Sequence, residues 1–218
     1  MILAVAHTKG GTGKTTTAIQ LALYRKLIDR KEVWLVDGDT QRSALTAITM
    51  RSENASVQPD IPCSAYSVGR DLLNQVKIQR DKWDDVILDI GGRDTETLRA
   101  ALMICDVLLV PVQPRQYDIW AIDRLRAIVQ EAHNLGANFK AYCFLSCADA
   151  QGTDNEETKK AILENFSENF GFIDAPLVRR KSFSTASSFG VSVFELTPSD
   201  QKAQQEIEKL AKIVFTSL

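Results

Sequence analysis

The sequence predicts a doubly wound α/β fold, a mainly parallel sheet with helices on both faces, and three observations carry that reading. Short runs that are apolar at every position recur along the chain, as strands buried on both faces require. Longer amphipathic stretches fall between them, the signature of βαβ units. The first run passes directly into a glycine-rich segment and then into a helical pattern, the strand–loop–helix order of such sheets.

The runs are Ile2–Ala6, Val33–Val36, Val86–Ile90, Val107–Val112 and Ala141–Leu145. A helix is expected from about Lys14. Asp118–Leu135 places Ile122, Leu125, Val129 and Ala132 on one stripe, and Ser199–Leu218 places Ala203, Ile207, Leu210, Ala211 and Val214 on another. Arg51–Pro62, polar and with two prolines, reads as a surface loop. No repeat, low-complexity tract or linker interrupts the pattern, so residues 1–218 are read as one domain.

With 218 residues and 44% hydrophobic composition the chain can bury a sizeable core. A formal charge of -2 gives the whole molecule no field for polyanions, so any nucleic-acid binding needs a local patch. The four cysteines, Cys63, Cys105, Cys143 and Cys147, form no CxxC; buried reduced thiols of a cytoplasmic protein are the favoured reading over a cluster or metal site. The start, Met-Ile-Leu-Ala-Val-Ala, lacks the basic region of a signal peptide, and no apolar run approaches the roughly 20 residues of a membrane span. A cytoplasmic location is expected.

The chemistry concentrates in His7–Thr17, HTKGGTGKTTT. Gly10, Gly11 and Gly13 let the backbone, with Thr12, curl its N–H groups around anionic oxygens, and the helix that follows adds the positive end of its dipole at Thr15 and Thr16. Lys14 would reach the β- and γ-phosphates of a nucleotide and Thr15 would ligate Mg²⁺. An aspartate, Asp89, ends the run Val86–Ile90 and would support the same metal through water; Gly91 and Gly92 follow as a candidate switch sensing the γ-phosphate. Asp37 and Asp39 stand at the carboxyl end of another strand, where ligands bind in such sheets. Arg93 and Asp94 read as surface charges.

The loop departs from the general pattern, since Thr8 stands where G-x-x-x-x-G-K-[ST] wants glycine. Its Lys-Gly-Gly-Thr-Gly-Lys-Thr resembles the deviant Walker A loop, K-G-G-x-G-K-[ST], of the ParA and MinD ATPases, which share the P-loop NTPase fold. The resemblance implies that Lys9 is a signature lysine reaching across an ATP-bound homodimer to the partner's phosphates. It implies that Asp39, in Asp37-Gly38-Asp39-Thr40-Gln41, aligns the attacking water, and that Asp37 lies near the Mg²⁺ shell. Gly38 and Gly91-Gly92 depart from the commoner Leu and Pro-Pro of relatives, whereas Val110-Pro111-Val112-Gln113-Pro114 matches the segment that sets Pro114 beside the nucleotide. ATP with Mg²⁺ is the implied cofactor pair, with ATP hydrolysis the reaction.

Only six residues precede His7, which is similar to the short ParA subclass of DNA-partition ATPases without a helix-turn-helix domain. Arg179, Arg180 and Lys181, followed by the hydroxyl-rich Ser182–Ser188, form a basic run suited to phosphate backbone. In that subclass such a run binds nonspecific DNA in the ATP dimer, and a centromere-binding, ParB-like adaptor stimulates hydrolysis; the expected location is the nucleoid. Two other readings stay open: a MinD-like ATPase at a membrane, needing an amphipathic tail that Lys209–Leu218 does not convincingly supply, and a biosynthetic ligase of the dethiobiotin synthetase kind, with Lys9 facing a small carboxylate. An NTP-binding module acting through a protein partner is a third.

Overall fold

The structure, a computed structural model, describes residues 1–54, 57–92 and 95–217. Arg93, Asp94 and Leu218, on which the sequence reading touched, lie outside them. The elements run β1 (Ile2–Val5), α1 (Lys14–Leu27), β2 (Val33–Asp37), α2 (Ser43–Glu53), β3 (Cys63–Ala65), α3 (Gly69–Gln79), β4 (Asp85–Asp89), α4 (Glu96–Leu102), β5 (Val107–Val112), α5 (Gln116–Asn134), β6 (Lys140–Ala148), α6 (Asp154–Phe166), β7 (Gly171–Val178), α7 (Lys181–Ser188) and α8 (Gln201–Lys212). The seven strands form one sheet in the order β3-β2-β4-β1-β5-β6-β7, every pairing parallel.

Alternation within the buried strands divides the core in two. Ile2, Ala4 and Ala6 face a layer completed by α3, α4, α5 and α6, while Leu3 and Val5 face one completed by α1, α2, α7 and α8. β1 lies between β4 and β5, so the carboxyl ends of β1, β2, β4 and β5 open onto one edge, the place where an open α/β sheet takes its ligand. Two strands were not anticipated. β3 has three residues and β7 carries Gly171, Asp174 and Pro176, a composition tolerable at the sheet edges they occupy.

The last helix forms as its stripe predicts: Asp200 caps it by accepting from the Ala203 N–H at 3.1 Å, and Ala203, Ile207, Leu210, Ala211 and Val214 are all buried. The tail beyond it packs onto the chain itself, with the Arg25 guanidinium 4.5 Å from the Phe215 ring. Among the described residues no helix is long and apolar enough to cross a membrane.

The expected surface loop Arg51–Pro62 is corrected at both ends. Arg51 belongs to α2 and is fully buried, and Ile61 is buried too. The Arg51 Nη1 and Nη2 donate to the two Glu195 carboxylate oxygens at 2.8 and 2.9 Å, and Nη2 also donates to the Pro59 carbonyl at 2.9 Å. Nearby, the buried Gln20 of α1 donates to the Val191 carbonyl at 2.9 Å and accepts from the Val193 N–H at 2.8 Å. The segment 191–195 thereby ties α1 and α2 together. The cysteine expectation is corrected in part: Cys105 and Cys143 are buried and burial pushes their thiols up, but Cys63 and Cys147 are half-exposed.

Replacing Glu195 by Ala leaves the buried Arg51 guanidinium with only the more distant Asp60 carboxylate, 4.0 Å from its Nε. The expected loss is about 3 kcal/mol, because an underpaired buried charge costs more than the pair gains. A urea titration reads it as a lowered midpoint; an unchanged midpoint would refute the assignment.

Candidate functional site

The loop between β1 and α1 is shaped by what its residues cannot bury. Gly13 sits at the start of α1 with φ of 88°, and a Cβ there would lie 2.5 Å from the Ser146 Oγ. No side chain caps α1 and no acidic residue stands in its first turn, so its leading N–H groups are left for an anion. Lys14 is buried; its Nζ donates to the Lys9 carbonyl at 2.9 Å, inside the loop. Burial lowers its pKa while Asp89 and Asp39 pull it back up.

Lys9 goes the other way. Its Nζ forms an ion pair with Asp118, a fully buried carboxylate in the first turn of α5. Thr8 Oγ1 donates to the Ala121 carbonyl at 3.1 Å, and Gln113 Nε2 donates to the Gly11 carbonyl at 2.5 Å. The first half of the loop is thus held by the end of β5 and the start of α5. The buried His7 accepts the Lys9 N–H at its Nδ1, 3.0 Å away, and its pKa falls from 6.5 to about 3, through burial first and then the charges of Lys14, Lys9 and Arg124.

Three aspartates close the opposite side. Asp37 uses one oxygen for the Asp39 N–H and the other for the Leu45 N–H, both at 2.9 Å, so it fixes the turn and the start of α2. Asp39 is half-buried and accepts the Gln41 N–H at 2.9 Å. Asp89 is buried, and beyond the nearby Thr15 hydroxyl neither of its carboxylate oxygens finds a hydrogen-bond partner among the described residues. Burial raises its pKa to about 7, against the pull of the Thr15 hydroxyl and then the Lys14 ammonium, while Asp37 and Asp39 add to the rise. A buried carboxylate with unused lone pairs beside a threonine hydroxyl fits a hydrated Mg²⁺, so Thr15 and Asp89 are the residues that would hold it. The glycines after Asp89 lie against this group: a Cβ on Gly91 would come 3.0 Å from the Asp39 carboxylate, and one on Gly92 3.0 Å from the Gly10 nitrogen.

Two cavities flank the loop. One of about 410 Å³ runs from Thr15 and Thr16 to Cys147, Arg179, Arg180 and Phe183, at the ends of β6 and β7. The other, about 430 Å³ and rich in hydroxyls, lies among Gly10, Asp39, Thr40, Ser67, Gly92 and Thr95. Both are of ligand size.

The structure therefore gathers Lys9, Gly10, Gly11, Thr12, Gly13, Lys14, Thr15, Thr16, Asp37, Asp39 and Asp89 at one edge. Pro114 lines a hollow of about 280 Å³ against α6, and its neighbour Gln113 touches the loop. The basic run is split. Arg180 Nε and Nη2 donate to a Glu206 oxygen at 3.0 and 2.6 Å, whereas Arg179 and Lys181 are exposed; Ser182–Ser188 falls within α7. Sequence reasoning missed Gln113, Asp118 and the cavity residues Ser146 and Cys147. Only Gln113, inside a quoted motif, left a signal; Asp118 sits where any helix start favours an acid.

A glycine-rich loop running into an uncapped helix, an invested lysine and an orphaned buried aspartate define a P-loop ATPase, with ATP and Mg²⁺ as its ligands. The chain belongs to the CobQ/CobB/MinD/ParA nucleotide binding domain family, whose pattern it matches over residues 3–193. It is 28% identical over 218 residues to the maintenance of carboxysome distribution protein A of Halothiobacillus neapolitanus, covering 99% of this chain and 96% of that protein. It is 24% identical over 227 residues to the chromosome-partitioning ATPase Soj of Thermus thermophilus, covering 92% of this chain and 90% of that protein. An ATP complex of a McdA variant from Cyanothece shares the fold, with a TM-score of 0.78 at 17% identity over 97% of this chain and 94% of the other. These relatives are themselves named for positioning and partition.

The depressed pKa of His7 makes a pH prediction. The folded state keeps the imidazole neutral, while the unfolded chain protonates it below about 6.5. Stability is therefore lost as pH falls through 6.5, by about 2 kcal/mol between pH 7 and pH 5. His7→Asn keeps an acceptor for the Lys9 N–H and removes the titration, so its urea midpoint should fall less over that interval. An identical fall in both proteins would contradict the neutral imidazole.

Proposed function

We propose that this chain is a ParA-type partition ATPase. ATP with Mg²⁺ joins two copies face to face, the pair binds DNA without regard to sequence, and hydrolysis, stimulated by a ParB-like adaptor on the cargo, releases it. What supports this reading above all is the parting of the two loop lysines: Lys14 turns into the phosphate cradle and Lys9 turns out of it toward α5. A lysine serving only its own nucleotide would have no reason to leave.

In this reading Lys14 and the first turn of α1 hold the β- and γ-phosphates, and the nucleoside lies in the cavity at the ends of β6 and β7. Mg²⁺ neutralises charge on the phosphate oxygens. Asp39 aligns the attacking water, held at its post by the Asp37 carboxylate and Gly91. Lys9 of each copy leaves Asp118 for the other's phosphates and supplies charge where it develops in the transition state. Water positioning waits on the second copy and the adaptor, so hydrolysis by one chain alone is slow. For DNA the exposed Arg179 and Lys181 are the contacts; Arg180, committed to Glu206, braces them. Pairing doubles this patch, which reconciles DNA binding with a net charge of -2. The protein then works on the nucleoid.

Binding to a random-sequence duplex in Mg²⁺ with ATP, ADP or neither, across a salt series, tests this. ATP alone should support binding, Lys14→Ala should abolish it, and the Arg179→Ala, Lys181→Ala pair should flatten the slope of log affinity against log salt by about 2 per copy. No binding in any nucleotide state would sink the reading; turnover that rises with a small carboxylate would replace it with the ligase, and binding to anionic vesicles with a MinD-like role.

Asp39→Ala provides the second check. It should hold the ATP pair on DNA with hydrolysis reduced at least tenfold. A variant that no longer binds DNA with ATP would show that Asp39 does something other than align water.

A further inference from the structure

Cys147 stands at a break in the pairing of β6 with β7. Ser146 pairs with Leu177 and Ala148 with Val178, so β6 takes two steps where β7 takes one. Cys147 is the residue left over, and its backbone is left-handed, with φ of 49°. A bulge of this kind beside a site re-aims a side chain. Here the thiol is turned toward the phosphate loop: a Cβ on Gly13 would lie 3.9 Å from the Cys147 Sγ. Cys147 is half-exposed and lines the cavity of about 410 Å³ between α1 and α7. That cavity is built for an occupant. Thr17, fully buried on its wall, has a hydroxyl with no hydrogen-bond partner among the described residues. A buried hydroxyl left so is costly until a ligand or a water meets it. The uncapped start of α1 and the exposed Arg179 make the cavity favourable to an anion.

We propose that Cys147 is a modification site for low-molecular-weight disulfides that carry carboxylates, the class of oxidised glutathione, and that its adduct and the nucleotide exclude each other. The Cys147 thiolate attacks one sulfur of the disulfide and the S–S bond breaks. A mixed disulfide forms on Sγ, and the other half leaves as a thiolate that takes up the proton Cys147 lost. A reduced thiol reverses the step by the same exchange. The remaining cysteines compete poorly, because the thiolate is the reacting form. Cys105 and Cys143 are buried, and burial pushes their thiols up. The Cys63 thiol is pushed up to about 12, by burial first and then by the charges of Asp37 and Asp89.

Exclusion follows from the room available, and here the inference rests on the placement of the nucleoside at the ends of β6 and β7 given above. An adduct anchored on Sγ takes the space the nucleoside needs and reaches toward the first turn of α1. Its carboxylates meet Arg179 and the helix N–H groups, the same features that favour a nucleotide. The ATPase therefore stops as such disulfides accumulate and restarts on reduction. Neither the phosphate loop nor the residues for Mg²⁺ are touched.

The test treats the native chain and Cys147→Ser with oxidised glutathione, with and without AMPPNP and Mg²⁺. Peptide mass mapping locates the adduct. Binding of a fluorescent ATP analogue is measured before treatment, after it, and again after dithiothreitol. Cys147 should take the adduct ahead of the other cysteines, at a rate that saturating AMPPNP lowers roughly tenfold or more. The modified native chain should bind the analogue roughly tenfold more weakly or worse, and dithiothreitol should restore it, which shows that the fold was intact. Cys147→Ser, whatever its own affinity, should bind the analogue equally before and after treatment. A Cys147 that stays unmodified without nucleotide overturns the modification site and leaves the placement of the nucleoside standing. A Cys147 that reacts as fast with AMPPNP present, in a chain whose affinity the adduct does not change, overturns the placement and the exclusion together. Loss of affinity in treated Cys147→Ser also overturns the proposal, since the effect then comes from another cysteine.

Discussion

Charge is buried at the carboxyl edge of the sheet before any ligand arrives, and the molecule is arranged around holding it there. Lys14, His7, Asp37 and Asp89 are all out of water. An ion in such a place needs a partner or must give up its charge. Each finds a different solution. Asp37 is met by two backbone N–H groups, Lys14 by a carbonyl of its own loop, and His7 by staying neutral. Asp89 has only the Thr15 hydroxyl beside it, and burial holds its carboxyl well above the usual carboxylate range. The site is incomplete in the way a nucleotide and its metal would complete it.

Holding these groups requires that the elements carrying them do not move independently. Asp37 is joined to the start of α2 through the Leu45 N–H, and Arg51 near the end of that helix is joined to Glu195. Gly190 fits against it so closely that a Cβ would fall 1.9 Å from the Ala47 carbonyl oxygen. Gln20 fastens α1 to the same segment. The turn bearing Asp39 and the helix bearing Lys14 are therefore referred to one anchor in the carboxyl-terminal part of the chain. The contact of Gly92 with Gly10 then lets the segment after Asp89 touch the loop directly.

Much of this was legible in the sequence. Strands buried on both faces advertise themselves, so β1, β2, β4, β5 and β6 could be read, and the spacing of the glycines, Lys14 and Thr15 determined the loop. β3 and β7 could not, since edge strands need no continuous apolar run. Arg51 was misread because a polar residue among polar neighbours resembles a loop, and its bidentate carboxylate partner, Glu195, lies 144 positions away. Asp118 was invisible for a related reason: its partner is Lys9, 109 positions earlier, and nothing local marks the pair. Composition and periodicity report the neighbourhood of a residue along the chain, and these two act across the fold.

The order of the sheet has a consequence for how the protein is made. β1 is the first of these seven strands to leave the ribosome and the middle strand of the finished sheet, yet both its neighbours come later, β4 some eighty residues on and β5 beyond that. At ordinary synthesis rates of roughly 5–20 residues per second the loop waits several seconds for its first flanking strand, and roughly 10–30 s for Val191 and Val193 to reach Gln20. During that interval the glycines have no Asp89 opposite and no α5 to grip them, so the nascent chain cannot use nucleotide to steer its own folding. Its longest-exposed segment, the apolar Ile2–Ala6, is the one that biogenesis has to shield.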